Sequence, residues 1–254
     1  MMTRCPFRKL VLILPLCIFL IKACTSTIDP SLETQGREYF PVEIGQFIEY
    51  EVEERVYTTL NPVQVFNYQI REEITESFLD IENEPAYKLE RFRREQSNEA
   101  WALDSVWVIK RTAGQALRTE NNRTFIKLIF PPNEKTTWNG NALNSLGEEE
   151  YRIVNLGEAS TIGDMTFPNT LRVVQNNLCS LVELDLRNEE FAENVGLIYK
   201  EDWRLSLKLS GSCIDSLEVY CEEKVKELRP PIPLESCIEF GRIYTQKIIA
   251  YGKN

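Results

Sequence analysis

Ile48-Glu49-Tyr50-Glu51-Val52-Glu53-Glu54-Arg55-Val56 decides the fold class. Ile48, Tyr50, Val52 and Val56 face one way, while Glu49, Glu51, Glu53 and Arg55 face the other. A period of two belongs to a strand with one face buried and one in water, the habit of antiparallel sheets. Working outward, Phe40-Pro41 and Gly45 lead into this strand and Asn61-Pro62 turns the chain after it. Phe66, Tyr68, Ile70, Ile74 and Phe78 then alternate along a long second strand, Val63 to Leu79. Glu82 to Pro85 breaks the pattern, and Tyr87 and Leu89 open a third strand that runs into Arg91-Phe92-Arg93-Arg94. Trp101 to Arg111 carries Leu103, Trp107 and Ile109 on one face. Ala113-Gly114 turns or bulges the chain, and Arg123 to Phe130 closes a first meander before Pro131-Pro132.

The second half reads similarly after a loop, Asn133 to Gly147, in which Asn139-Gly140 predicts positive φ and a tight turn. Strands follow at Tyr151 to Ala159 and Met165 to Gln175. Leu178 to Asn194 is mixed and acidic, and is expected to be a short helix. Gly196 to Lys200 leads to Trp203, Leu205, Leu207 and Leu209 alternating with Arg204, Ser206 and Lys208. After Gly211 comes a segment expected to be irregular, with three cysteines and the Pro230-Pro231-Ile232-Pro233 break, and then a last strand, Phe240 to Tyr251. The expectation is a mainly β chain. It forms a single antiparallel meander curved into a strongly bent sheet, half-barrel or open barrel, with at most one or two short helices. Residues 39–254 make one domain, with a candidate seam at 131–147.

The chain has no histidine, which excludes Ser-His-Asp and Cys-His nucleophilic sites, His-ligated zinc and His general bases together. It has seven cysteines. Cys5, Cys17 and Cys24 lie in the leader, and Cys179, Cys213, Cys221 and Cys237 remain as disulfide candidates. No CxxC pair suggests zinc or thioredoxin-like chemistry, and three connectivities are open. Cys213 lies just past one strand and Cys237 just before the next. If those strands are hairpin neighbours, a bridge between the two staples the loop's neck and leaves Cys179–Cys221 as the second bond.

The leader reads MMTRCPFRKLVLILPLCIFLIKAC: basic Arg4, Arg8 and Lys9, an apolar run from Leu10 to Ile21, then Lys22-Ala23-Cys24. The run has signal-peptide length and is short for a membrane span. Ile21, Ala23 and Cys24 resemble the lipobox of bacterial lipoproteins, from which Lys22 departs. The resemblance implies cleavage of residues 1–23, a diacylglycerol on Cys24 and anchorage in the bilayer, with 24–38 as a flexible tether. No acidic run follows Cys24. In Bacteroidota lipoproteins such a run resembles a surface-export signal, so its absence implies the periplasmic face of the outer membrane. Cleavage removes Arg4, Arg8, Lys9 and Lys22 and no acid, so 29 basic side chains fall to 25 against 39 acidic ones, a formal charge of −14. That argues against nucleic acid and against anionic lipid surfaces as partners.

Three short stretches carry a further resemblance. Tyr39-Phe40-Pro41 with Gly45 and Tyr50, Trp138-Asn139-Gly140-Asn141, and Asn194-Val195-Gly196-Leu197-Ile198-Tyr199-Lys200-Glu201 are similar to motifs of uncharacterised Bacteroidota outer-membrane lipoproteins. This implies a tethered β-rich envelope protein and supplies no activity or site residues. In that phylum Asp104-Ser105-Val106 and Asp215-Ser216-Leu217 resemble O-glycosylation sequons, which makes Ser105 and Ser216 candidate acceptors.

No calcium loop, phosphate loop or nucleophile elbow appears, so neither a metal nor a cofactor is expected, and no catalytic residue is assigned. Glu49, Glu51 and Glu53, and Glu148-Glu149-Glu150, read as solvated surface. Arg91, Arg93 and Arg94 read as partners of cross-strand glutamates. Trp107 and Trp203 read as core, and Trp138, in a loop, is the candidate contact for a ligand or partner. The expectation is a non-catalytic envelope lipoprotein that binds an apolar molecule or a protein. The alternative is a carboxylate-dependent glycan hydrolase, which requires two buried acids about 5–10 Å apart.

Overall fold

The computed structural model describes residues 36–60, 62–227 and 229–254. Cys24, the lipobox and most of the tether lie outside the described residues, as does Asn61 of the first turn. The meander comprises β1 (Gln46–Tyr57), β2 (Gln64–Leu79), β3 (Pro85–Arg94), β4 (Ala102–Arg111), β5 (Gln115–Glu120) and β6 (Arg123–Ile129). It continues through β7 (Thr137–Asn139), β8 (Glu150–Ile162), β9 (Met165–Cys179), β10 (Glu183–Ala192), β11 (Gly196–Leu207) and β12 (Ile238–Lys253). One helix, α1 (Gly211–Glu222), interrupts it.

All twelve strands form one antiparallel sheet in the order β6-β5-β4-β3-β2-β1-β12-β11-β10-β9-β8-β7. The first and last strands pair along their whole length, so the sheet edges fall on β6 and β7, which are consecutive in sequence. This is an up-and-down barrel opened at one place. The gap is nearly closed: Ile126 N–H donates to Gly140 O at 3.0 Å, Trp138 Nε1–H to Ile126 O at 2.9 Å, and Asn144 Nδ2–H to Thr124 O at 2.9 Å. The 131–147 stretch therefore holds the barrel's seam, with a single sheet continuing on both sides of it.

One end is plugged. A 3₁₀ turn, Arg37–Tyr39, brings Tyr39 and Phe40 over the strand ends, where Phe40 meets Phe191 at 6.4 Å. Arg111 Nη1 donates to Arg37 O and Phe40 O, Asn194 N–H to Glu38 O, and Tyr50 O–H to Leu197 O. Asn194 and Gly196 make the β10–β11 turn at φ 62° and 101°, values that suit Asn and Gly. The plug covers a cluster of Ile74, Leu89, Ile109, Leu128, Leu171, Val173 and Phe191.

Four expectations change. Leu178 to Asn194 is not a helix: it holds the end of β9, a turn and strand β10. The alternation of β10 is hidden because both faces are buried: Leu184, Leu186, Asn188 and Glu190 on one, Glu189 and Phe191 on the other. The cysteine-rich segment is ordered as α1, which buries Cys213, Leu217 and Tyr220 at helical spacing against Leu184, Trp203 and Leu205. Neither Asn139 nor Gly140 has positive φ. Gly140 is required because a Cβ there would lie 2.2 Å from the Tyr151 ring, and Asn139 Oδ1 accepts from the N–H groups of Asn141 and Glu149. Finally, β5 is a separate strand, joined to β6 through Asn121-Asn122 at φ 49° and 62°, and β7 lies inside the expected loop.

The disulfides are Cys179–Cys221 and Cys213–Cys237, each with Cα atoms 5.5 Å apart. Cys179–Cys221 ties the insert between β11 and β12 to the end of β9, and Cys213–Cys237 closes the insert's neck, in the pairing the loop-neck argument expects.

Candidate functional site

The barrel is not lined by apolar side chains alone. On β2 the inward parity of Tyr68, Ile70 and Ile74 also places Glu72 inside. On β5 the parity of Ala116 places Arg118 and Glu120, and a register slip between Ala116 and Leu117 leaves both Lys127 and Leu128 of β6 buried. Glu189 comes from β10 and Lys200 from β11.

These groups form a lattice of alternating sign. Arg91 reaches Asp104 at 2.5 Å and lies 3.8 Å from Glu72. Arg118 Nη2 donates to Glu72 at 2.7 Å, and its Nε lies 3.0 Å from Glu120. Both guanidiniums stack on Trp107, at 5.1 Å for Arg91 and 4.2 Å for Arg118. Lys127 donates to Glu189 at 2.6 Å, and Lys200 stands 3.5 Å from the same oxygen. Burial alone raises a carboxyl, but Arg118, Lys200 and Lys127 outweigh it and hold Glu120 at about 2. Glu189 is lowered in the same way: burial raises it, and Lys127 and Lys200 overcome that. Lys127 is lowered, chiefly by burial, while Lys200 is raised because Glu189 and Glu120 more than offset its burial.

Beside this lattice, at the end opposite the plug, the barrel opens into a cleft of about 530 Å³. Arg123, Lys127, Arg187, Lys200 and Arg204 line it against Glu120, Glu148, Glu149 and Asp202, with Phe125 and Tyr151 as aromatic walls. Arg187 is locked between Asp185 and Glu149. Among the described residues, Lys200 Nζ makes no hydrogen bond, and Lys127 Nζ uses one of its three N–H donors. Toward the plug, the interior holds a cavity of only about 60 Å³, bounded by Phe40, Ile74, Arg118 and Phe191. That is room for a few waters.

Of the residues singled out from sequence, Arg91 joins the lattice and Glu148 and Glu149 line the cleft, and the others are placed elsewhere. Trp138 donates its indole N–H across the seam and meets Tyr151 edge-on at 5.9 Å. It does not line the cleft. Ser216 is exposed on α1, and Ser105 is half-buried in β4 with its hydroxyl donating to Asp104. Trp203 is core. Arg93 and Arg94 stack on Tyr68 and Trp101 and pair with Glu95 and Gln69. The cross-strand carboxylates hold Arg91 alone of the three. Glu149 is a cleft residue paired with Arg187. The sequence reading missed Glu72, Arg118, Lys127, Glu189 and Lys200. The signal for Glu72 was a gap: it occupies the inward position that Tyr68, Ile70 and Ile74 skip.

Among the described residues, no group of acids and cysteines is arranged to hold a metal ion, and no helix is long and apolar enough to cross a membrane. In comparison with known proteins, the chain matches no family, no curated sequence and no solved structure.

Proposed function

We propose that this chain is a non-catalytic, lipid-anchored binding protein of the bacterial outer membrane that presents the charged cleft to a polar partner. The observation that carries the reading is the cleft itself. Arg187 and Arg204 are already held by Asp185, Glu149 and Asp202 before anything binds, which reduces the ordering cost of recognition, while among the described residues Arg123 and Lys200 Nζ keep N–H donors for a ligand. The small interior cavity favours a polar ligand or peptide at the mouth over an apolar molecule in the barrel. The acid settings favour binding over glycan hydrolysis. Glu120 is held at about 2 and cannot serve as a proton donor near neutral pH. Glu201, raised chiefly by burial, is 1% exposed, opens onto neither cleft nor cavity, and is engaged by Tyr199 and Asn188.

Lipidation of Cys24 and the resemblance to Bacteroidota envelope lipoproteins belong to the same proposal. The described chain begins at Gly36, against Pro132 at the plugged end. In this proposal the anchor lies on the side of the plug and the cleft faces away from the membrane. The three resembling motifs support this as closure devices: two meet at the plug and one brackets the seam.

One measurement addresses both parts: native mass spectrometry of the full chain purified from membranes, compared with an Arg123→Ala/Lys200→Ala variant. The expected result is a diacylglyceryl mass on Cys24 in both proteins, with a polar adduct, released on denaturation, in the parent alone. An unmodified Cys24 overturns the anchor. An adduct kept by the variant, or absent from the parent, overturns the cleft.

A further inference from the structure

A second cleft, of about 340 Å³, lies outside the barrel wall, between β8–β10 and the segment that follows α1. Its polar lining is Arg152, Arg172 and Lys226, with Asn155, Asn177 and Asn188. The single acid there, Glu227, is already paired with Lys224 at 2.9 Å. In a chain with ten more acidic than basic side chains, this local excess of cations runs against the overall charge.

The cations are also unsatisfied. Among the described residues, the exposed side chains of Arg152 and Lys226 have no ion-pair or hydrogen-bond partner. The Arg172 side chain is 8% exposed, and its Nε and Nη2 have no hydrogen-bond partner. The nearest carboxylate, Glu201, stands 3.9 Å away and already accepts from Tyr199 O–H and Asn188 Nδ2–H. Nε and Nη2 form one edge of the guanidinium, the pair that grips a carboxylate or phosphate side-on. A buried donor left unmade is costly, so an arginine kept in this state is expected to have a use.

The cleft is held ready. Arg229 stacks on Tyr199 and donates to Glu190 at 3.1 Å and Ser160 at 2.9 Å, and Tyr220 O–H donates to Pro231 O at 2.9 Å. Cys179–Cys221 fixes the insert to the end of β9, the strand that supplies Arg172 and Asn177.

We infer that this cleft binds a phosphate monoester. Three cations match a doubly charged oxyanion better than a single carboxylate does. The volume exceeds that of phosphate alone; Asn177 is placed to meet hydroxyls on the group that carries it, and Asn155, whose Nδ2 already donates to Glu158 at 2.7 Å, offers its amide oxygen. Val154, Val174, Leu186 and Pro230 supply an apolar wall for the carbon frame. The bearer is either a free sugar phosphate or a phosphomonoester lipid headgroup. The site is separate from the mouth cleft and does not depend on that reading.

The test is calorimetric titration of oxidised residues 25–254 with glucose 6-phosphate, with glucose as control, alongside flotation with phosphatidylcholine vesicles containing phosphatidic acid. Saturable binding to either phosphorylated probe, and none to glucose, is expected. Binding to the sugar phosphate assigns a soluble ligand, and binding to the vesicles alone assigns a headgroup. Arg152→Ala/Lys226→Ala removes two exposed side chains, keeps the melting profile, and weakens binding about tenfold or more. Arg123→Ala, at the mouth, leaves it unchanged. Absence of binding to both probes, or equal binding by the double variant, overturns the site.

Discussion

Glu189 is 1% exposed, and an ionised carboxylate so placed is tolerated only with a partner. Lys127 supplies the close bond and Lys200 the second charge, yet among the described residues Glu189 Oε2 has no hydrogen-bond partner. Removing one member of such a pair leaves a buried charge uncompensated, which typically costs about 3–5 kcal/mol. Lys127→Met is therefore expected to destabilise by that order, and Lys127→Met/Glu189→Leu to recover most of the loss. Urea denaturation of the two variants checks this, and a double variant as unstable as the single would sink the pairing argument. At this scale the sequence was legible by residue type and misleading by place. Asn139-Gly140 was visible as a special pair. What makes Gly140 special is the Tyr151 ring pressed against its Cα, a contact made only when β7 meets β8.

Strands with one wet face announced themselves, and strands with two dry faces did not. β1 and β2 alternate because water lies on one side. β10 carries apolar or paired charged groups on both faces, so its period of two vanishes from a hydropathy reading. The second dry face is supplied by α1 and the segment after it, which the two disulfides hold down. Those bridges close loops of sequence separation 42 and 24, for which chain-entropy arguments give roughly 3–4 kcal/mol each. Cys213→Ser/Cys237→Ser is expected to lower the unfolding free energy by about that amount. It should also raise hydrogen exchange in α1 before the barrel strands. Unchanged exchange in α1 would mean that Leu217 and Tyr220 hold the helix without the bridge.

Across the whole molecule, the charge lattice links seven strands, and its carboxylates set the acid response. An acid whose folded value is depressed contributes stability that is present above its unfolded value and lost as pH falls through the folded one. Glu120, at about 2 in place of 4.5, thus contributes at neutral pH and loses that contribution between roughly pH 4.5 and 2. The effect is on the order of 1–3 kcal/mol. Stability is expected to fall across that window, with a shallower slope in Glu120→Gln. Identical slopes from denaturant titrations at several pH values would show that the lattice does not carry the response.

The sequence by itself determined the meander, the strongly curved sheet, the absence of histidine chemistry and the supply of four cysteines for two bridges. Each of these is written in local period or in composition. Tertiary structure decided that β1 closes on β12, that the 131–147 stretch is a seam, and that charges gather inside and beneath the insert. The reason is the range of the interactions. Alternation is a property of neighbours in the chain, whereas Lys127 finds Glu189 across 62 residues and Arg118 finds Glu72 across 46, and only the closed wall brings them together.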